Sequence, residues 1–214
     1  MKIPSPLYVI LDPEVTRGGD LPGLLEAVLA GGCRMVQLRD KRRRLAEVYP
    51  EARTLRERCK AAGTLFIVND RADLALALHA DGLHVGQDDL PGAAARRLLP
   101  PGMILGISTH DARQARQALA DGADYIAVGS IFPTGTKAGF QLVSPGLLRE
   151  LRPAIPVPLV GIGGITEDNA SQVLAAGADA VAVISAVCGA ADPAAATRRF
   201  LGRLGSGGRT QEVR

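Results

Sequence analysis

"ADGADYIAV" (residues 120–128) closes a polar segment on a glycine, passes an aspartate and runs into four apolar residues. The same phrase returns as "HADGLHV" (79–85) and "AAGADAVAV" (175–183). Each reads as one unit. Glycine stops a helix, aspartate builds the turn, and a continuous apolar run suits a strand covered on both faces. Outward from these units, further apolar runs are "LYVIL" (7–11), "RMVQL" (34–38), "TLFIV" (64–68), "ILGI" (104–107) and "PLVGI" (158–162). With "LHVG" (83–86), "YIAV" (125–128) and "AVAVI" (180–184) they make eight. Between them lie helical patterns. "LPGLLEAVLAGG" ends on glycines, and "LAEVYPEARTLRERCKAAG" places Leu45, Val48, Ala52 and Leu55 at helical spacing, with Pro50 as its start or a kink. "RADLALALHADG", "DARQARQALADGAD" and "TEDNASQVLAAGAD" run from a polar cap to a glycine, and "PAAATRRFLGRL" follows the last strand.

Eight strand–helix units in 214 residues predict a single α/β domain, a (β/α)8 TIM barrel over residues 1–204. An open doubly wound sheet shares the alternation and is the runner-up. The glycine-rich segment "GSGGRTQEVR" (205–214) is expected to be a disordered tail.

Composition narrows the function classes. The chain is 47% hydrophobic but only 3% aromatic, without tryptophan, so its core is aliphatic. A net charge of +3 without an aromatic-interleaved basic stripe argues against nucleic acid and leaves anionic small molecules open. Cys33, Cys59 and Cys188 have no CxxC spacing, which fits a reduced, cytoplasmic setting. No run reaches a membrane span, and "MKIPSPLYVILDPE" lacks the apolar region of a signal peptide. The partners expected are therefore small molecules, not nucleic acid or a membrane; a homo-oligomer is allowed.

In this fold the active site lies at the C-terminal strand ends. Asp81, Asp124 and Asp179 precede their strands and read as turn residues on the opposite face. After the second strand, Gln37, Arg39 and Lys41 alternate, so they share one face. An amide and two cations converging there suit a multiply charged anion, whereas Arg42, Arg43 and Arg44 read as a solvated run. Asn69, Asp70 and Arg71, and then Gln87, Asp88 and Asp89, read either as helix caps or as a rim where two carboxylates hold magnesium with substrate phosphates. Ser108 offers a hydroxyl, and His110 or Asp111 a helix cap; His84 reads as a hydrogen-bonded core histidine and His79 as structural. "GIGGIT" (161–166) and "ISA" (184–186) follow strands seven and eight, the usual phosphate site of this barrel.

Seven motifs in order, "QLRDK", "VND", "DGLHVGQDD", "GISTH", "VGSIFPTGTK", "GIGGI" and "AVAVISA", resemble thiamine phosphate synthase over about residues 7–190. The resemblance implies a transferase. It would join a pyrimidine carrying a diphosphate to a thiazole monophosphate, release pyrophosphate and use Mg²⁺. It places Gln37, Arg39 and Lys41 on the pyrimidine diphosphate with Asn69 beside them, counts the intervening Leu38 and Asp40 among the substrate-binding positions, and puts Ser108 on the pyrimidine substrate and Asp70 and Asp89 on Mg²⁺. Thr134, Gly135 and Thr136 would meet the thiazole substrate, and Gly164, Ile184 and Ser185 its phosphate. Lys137, with Arg39 and Lys41, would stabilise the departing diphosphate. Two departures, Asp40 where glutamate is frequent and Ser130 where proline is common, remove no group with an assigned role. A thiazole tautomerase on a related barrel and a non-catalytic phosphate sensor are the rival readings. The five charged rim residues together argue against the tautomerase.

Overall fold

A strand buried on both faces needs apolar side chains in both directions, and all eight runs have them. They form β1 (Leu7–Leu11), β2 (Met35–Leu38), β3 (Leu65–Asn69), β4 (Gly82–Val85), β5 (Ile104–Thr109), β6 (Tyr125–Val128), β7 (Leu159–Ile162) and β8 (Ala180–Val183). In the computed structural model, which describes residues 2–16, 19–134 and 142–205, these strands pair in parallel in chain order. Leu7–Val9 pair with Val181–Val183, so β8 closes on β1 in a barrel. The open-sheet alternative is thereby excluded.

The helices are α1 (Leu21–Ala30), α2 (Leu45–Ala61), α3 (Ala72–Ala77), α4 (Gly92–Leu98), α5 (Ala112–Ala120), α6 (Pro145–Leu151), α7 (Ala170–Ala175), α8 (Ser185–Cys188) and α9 (Pro193–Gly205). Three, α2, α6 and α8, differ from the sequence reading. Helix α2 starts at Leu45 and runs through Pro50, because the Glu47 carboxylate accepts the Arg44 N–H (3.0 Å) and so starts the helix upstream of the proline. Helix α6 was not read, although Ser144 caps it by accepting from Gly146 N (3.1 Å) and Pro145 takes its first position. Residues 206–214, where the tail was expected, lie outside the described residues.

Alternation along each strand sorts the core into two layers. Leu7, Val9, Leu11, Val36 and Leu38 face the helices, and Tyr8, Ile10, Met35, Ile67, Tyr125 and Ala182 fill the barrel. Gln37, between Val36 and Leu38, therefore points inward.

The three repeated aspartates do one job at the N-terminal end of the barrel. Asp81, Asp124 and Asp179 each accept, through one carboxylate oxygen at 2.8 Å, from the backbone N–H of Phe66, Leu105 and Leu159 respectively. Each also pairs with an arginine of the preceding even-numbered helix or its end, Arg56 (3.3 Å), Arg96 (3.1 Å) and Arg152 (2.8 Å). They lie on the face opposite the rim, as expected, but form a repeated strand-to-strand lock rather than only a turn. A shallow depression of about 580 Å³ beside the Arg96–Asp124 pair contains only groups already satisfied in this way.

Candidate active site

The opposite end of the barrel opens into a cavity of about 1260 Å³. It is lined by Gln37, Arg39, Lys41, Asn69, Asp70, Asp89, Ser108, Thr134, Gly164, Ile184 and Ser185, all named from the sequence. Two named residues turn elsewhere. Leu38 sits 1% exposed in the helix-facing layer, because its side chain points opposite to that of Gln37. Asp40 accepts from Arg42 N (3.1 Å), Arg43 N (2.9 Å) and Arg43 Nε (2.5 Å), which ties down the loop after β2 and holds its carboxyl below the usual range: burial alone would raise it, and these bonds outweigh burial. Gly135, Thr136 and Lys137 lie outside the described residues.

The charged rim is built from three strand ends. Lys41 forms a short ion pair with Asp70 and lies 3.7 Å from Asp89. Burial and the neighbouring Asp89 carboxylate push Asp70 up to about 6, against the pull of Lys41. Asp89 is held below the ordinary value: burial would raise it, but bonding from Asp70 and from Gly86 N–H (2.9 Å) wins. Two carboxylates thus share one lysine, and Asp70 bears the cost of burial beside a like charge. Its backbone is also left-handed (φ +59), a conformation aspartate tolerates better than most residues. Among the described residues no group of three or more His, Cys, Asp or Glu could hold a metal alone. The two neighbouring carboxylates of Asp70 and Asp89 are oxygen donors that fit a hard divalent cation sharing its other positions with phosphate oxygens and water.

Arg39 is fixed by Asp12, the residue after β1, which is 1% exposed and also accepts from Glu14 N (2.9 Å). Sequence reasoning passed over Asp12, although the first polar residue after "LYVIL" falls under the same rim rule. Of the arginine run, Arg42 and Arg44 are exposed and pair with Glu14 and Glu47, whereas Arg43 is half-buried between Asp40 and Glu51.

The floor of the cavity is neutral. Gln37 Nε2 donates to Tyr8 Oη (2.6 Å), Tyr8 Oη meets Tyr125 Oη (3.0 Å), and Tyr125 Oη meets His84 Nδ1 (2.9 Å). His84 Nε2 meets Ser108 Oγ (2.8 Å). Burial holds His84 down at about 4 despite Asp89, and pushes both tyrosines up, so all three stay uncharged at neutral pH. His84 is the bonded core histidine expected, but it also lines the cavity. Gln87 Nε2 steadies Ser108 through its carbonyl (2.7 Å), and His110 bonds the Gly129 carbonyl while Asp111 caps α5.

The far rim is backbone. Ile131 N donates to Ile162 O (2.9 Å) and Phe132 N to Gly163 O (3.0 Å), so the segment after β6 lies along the end of β7. Gly163 (φ +99) and Gly164 (φ +61) take left-handed conformations, and a side chain on either would strike Ser130 or Phe132. Facing them, Ser185 opens α8, whose four residues were too short to read as a helix. Among the described residues no helix is long and apolar enough to cross a membrane.

Comparison with known proteins gives the family. The chain is 53% identical over 196 residues to a thiamine-phosphate synthase of Moorella thermoacetica, covering 91% of this chain and 93% of that one. It is 49% identical over 195 residues to one of Methanospirillum hungatei, covering 91% and 95%. The solved thiamine phosphate pyrophosphorylase from Pyrococcus furiosus superposes with a TM-score of 0.87 at 36% identity, covering 94% of this chain and 95% of that one. Residues 7–187 match the profile of the thiamine monophosphate synthase family, and to that family the chain belongs.

Proposed function

We propose that this chain joins the pyrimidine diphosphate and the thiazole monophosphate into thiamine monophosphate and releases pyrophosphate. The observation that carries the reading is a single cavity with two anion-binding rims across a neutral floor. One rim holds Arg39, Lys41, Asp70 and Asp89, and the other Gly163, Gly164 and Ser185. Such a cavity can take two phosphorylated heterocycles at once and hold their reacting ends together.

In this reading Gln37, Arg39, Lys41 and Asn69 bind the pyrimidine diphosphate, with Leu38 and Asp40 supplying backbone and loop support. Asp70 and Asp89 hold Mg²⁺, which when bound offsets charge on the departing diphosphate. Arg39, Lys41 and Lys137 stabilise that same charge. Thr134, Gly135 and Thr136 meet the thiazole, and Gly164, Ile184 and Ser185 its phosphate.

Departure of the diphosphate leaves positive charge on the methylene, which the aminopyrimidine spreads into its ring. The neutral floor supports this step, because a cation or strong acid beneath the ring would oppose it. The thiazole nitrogen then attacks with its own lone pair, so no general base is required. The protein is incubated with both substrates and Mg²⁺, and pyrophosphate is measured. Release that needs both substrates is expected. Binding of both without release would favour the sensor, and isomerisation of a thiazole precursor without release the tautomerase.

A further inference from the structure

The chain of hydrogen bonds beneath the cavity runs through five strands: β2, β1, β6, β4 and β5 carry Gln37, Tyr8, Tyr125, His84 and Ser108 in turn. Tyr8, Tyr125 and His84 are 1%, 0% and 6% exposed, so each donor in it must be matched. A hydroxyl carries one proton and a neutral imidazole one N–H. These counts leave two self-consistent arrangements of the protons, of opposite direction.

In one, Gln37 Nε2 donates to Tyr8, Tyr8 to Tyr125, and Tyr125 to His84 Nδ1. His84 then carries its proton on Nε2 and donates to Ser108 Oγ, and the Ser108 proton turns to the cavity. Gln37 Oε1, which has no partner among the described residues, also faces the cavity. In the other arrangement the Gln37 amide is reversed, every bond runs backward, and the two ends exchange roles. The first is the direction we take, because it turns the Gln37 oxygen toward the rim of Arg39 and Lys41, donor-only groups that keep N–H to give beyond their pairs with Asp12 and Asp70.

We propose that Tyr8, Tyr125 and His84 act as positioning residues, a one-way relay that makes Gln37 an acceptor and Ser108 a donor and so selects a 4-amino over a 4-oxo pyrimidine. This rests on the synthase reading for the identity of the ring. An aminopyrimidine offers an N–H donor at its amine and a lone pair at a ring nitrogen, complementary to the two ends. A 4-oxo ring places an acceptor where the amine was, against the Gln37 oxygen. Gly106 makes the relay possible, since a Cβ there would lie 2.5 Å from His84 Nδ1 and against the Tyr125 ring. The His84 and Tyr125 rings stack at 5.5 Å, which fixes the plane of the imidazole.

The direct test is ¹⁵N NMR of histidine-labelled wild-type protein near pH 7. His84 is expected as the neutral tautomer protonated on Nε2; protonation on Nδ1 would overturn the proposal. The second test is calorimetric binding of amino and oxo pyrimidines, each bearing a methylenediphosphonate that cannot leave. Wild type should prefer the amino form by about 10²-fold, and Tyr125→Phe should narrow that preference about tenfold, because His84 is then free to change tautomer. Equal affinities in wild type, or an unchanged preference in Tyr125→Phe with His84 still protonated on Nε2, would each overturn it. Loss of two-substrate pyrophosphate release in wild type would sink the synthase reading instead, and leaves the tautomer measurement standing as a separate result.

Discussion

Replacing Asp12 with asparagine tests whether the position of Arg39 is set from the neighbouring strand. The Asp12 side chain is 2% exposed and that of Arg39 19%, so the pair is nearly dry on one side. Asparagine keeps the volume and can still accept from Glu14 N, but it loses the charge and can turn an NH₂ toward the guanidinium. Breaking a buried pair costs about 3–5 kcal/mol; the water remaining on Arg39 puts this case near the lower end, at about 3 kcal/mol. At about 2–4 °C per kcal/mol for a domain of this size, the melting temperature should fall by about 6–12 °C. Release of Arg39 from its place should also lower kcat/KM for the pyrimidine diphosphate by about 10²-fold, the effect of a misplacement near 1 Å. Thermal unfolding by circular dichroism and a coupled pyrophosphate assay measure the two effects. The double variant with Arg39→Met should be no slower than Arg39→Met alone, because Asp12 acts through Arg39. If Asp12→Asn keeps kcat/KM within about twofold, or if the two losses simply multiply, the reasoning is wrong.

Three further outcomes follow from the same geometry. Gly106→Ala should destabilise the fold by about 1–3 kcal/mol through overpacking against Tyr125 and His84, read by urea denaturation, and should weaken pyrimidine binding more than thiazole phosphate binding. Asp89→Ala and Lys137→Ala should each lower turnover by about 10² or more if they stabilise the departing charge, directly or through the bound cation; near-normal turnover in both would remove that assignment. His84, held by burial at about 4, should keep neutral-imidazole NMR signals down to about pH 5. An unfolded histidine takes a proton near 6.5, so this group favours unfolding progressively as pH falls from about 6.5 toward 4; titration of His84 near 6.5 in the folded protein would contradict its burial.

Much of the molecule was legible locally. The eight apolar runs became the eight strands with boundaries displaced by a residue or two, because continuous hydrophobicity and a glycine–aspartate turn are properties of adjacent residues. The rim rule collected Gln37, Arg39, Lys41, Asn69, Asp70, Asp89 and Ser108 into one cavity for the same reason. The pleat even explains why Leu38 faces away from the cavity that Gln37 lines. Helix α8 was not legible, since four residues are too few to show a helical period.

Local pattern alone sets the repeating unit, the number of repeats and the chemistry presented at each strand end. Which of those ends touch depends on the closed barrel. Tyr8 and Tyr125 are 117 residues apart and Asp12 and Arg39 are 27 apart, and no local pattern ties either pair together. Barrel closure brings the inward side chains of separate strands into one dry interior. There each polar group must find a partner, and that requirement links the rim residues Gln37 and Ser108 through the buried Tyr8, Tyr125 and His84.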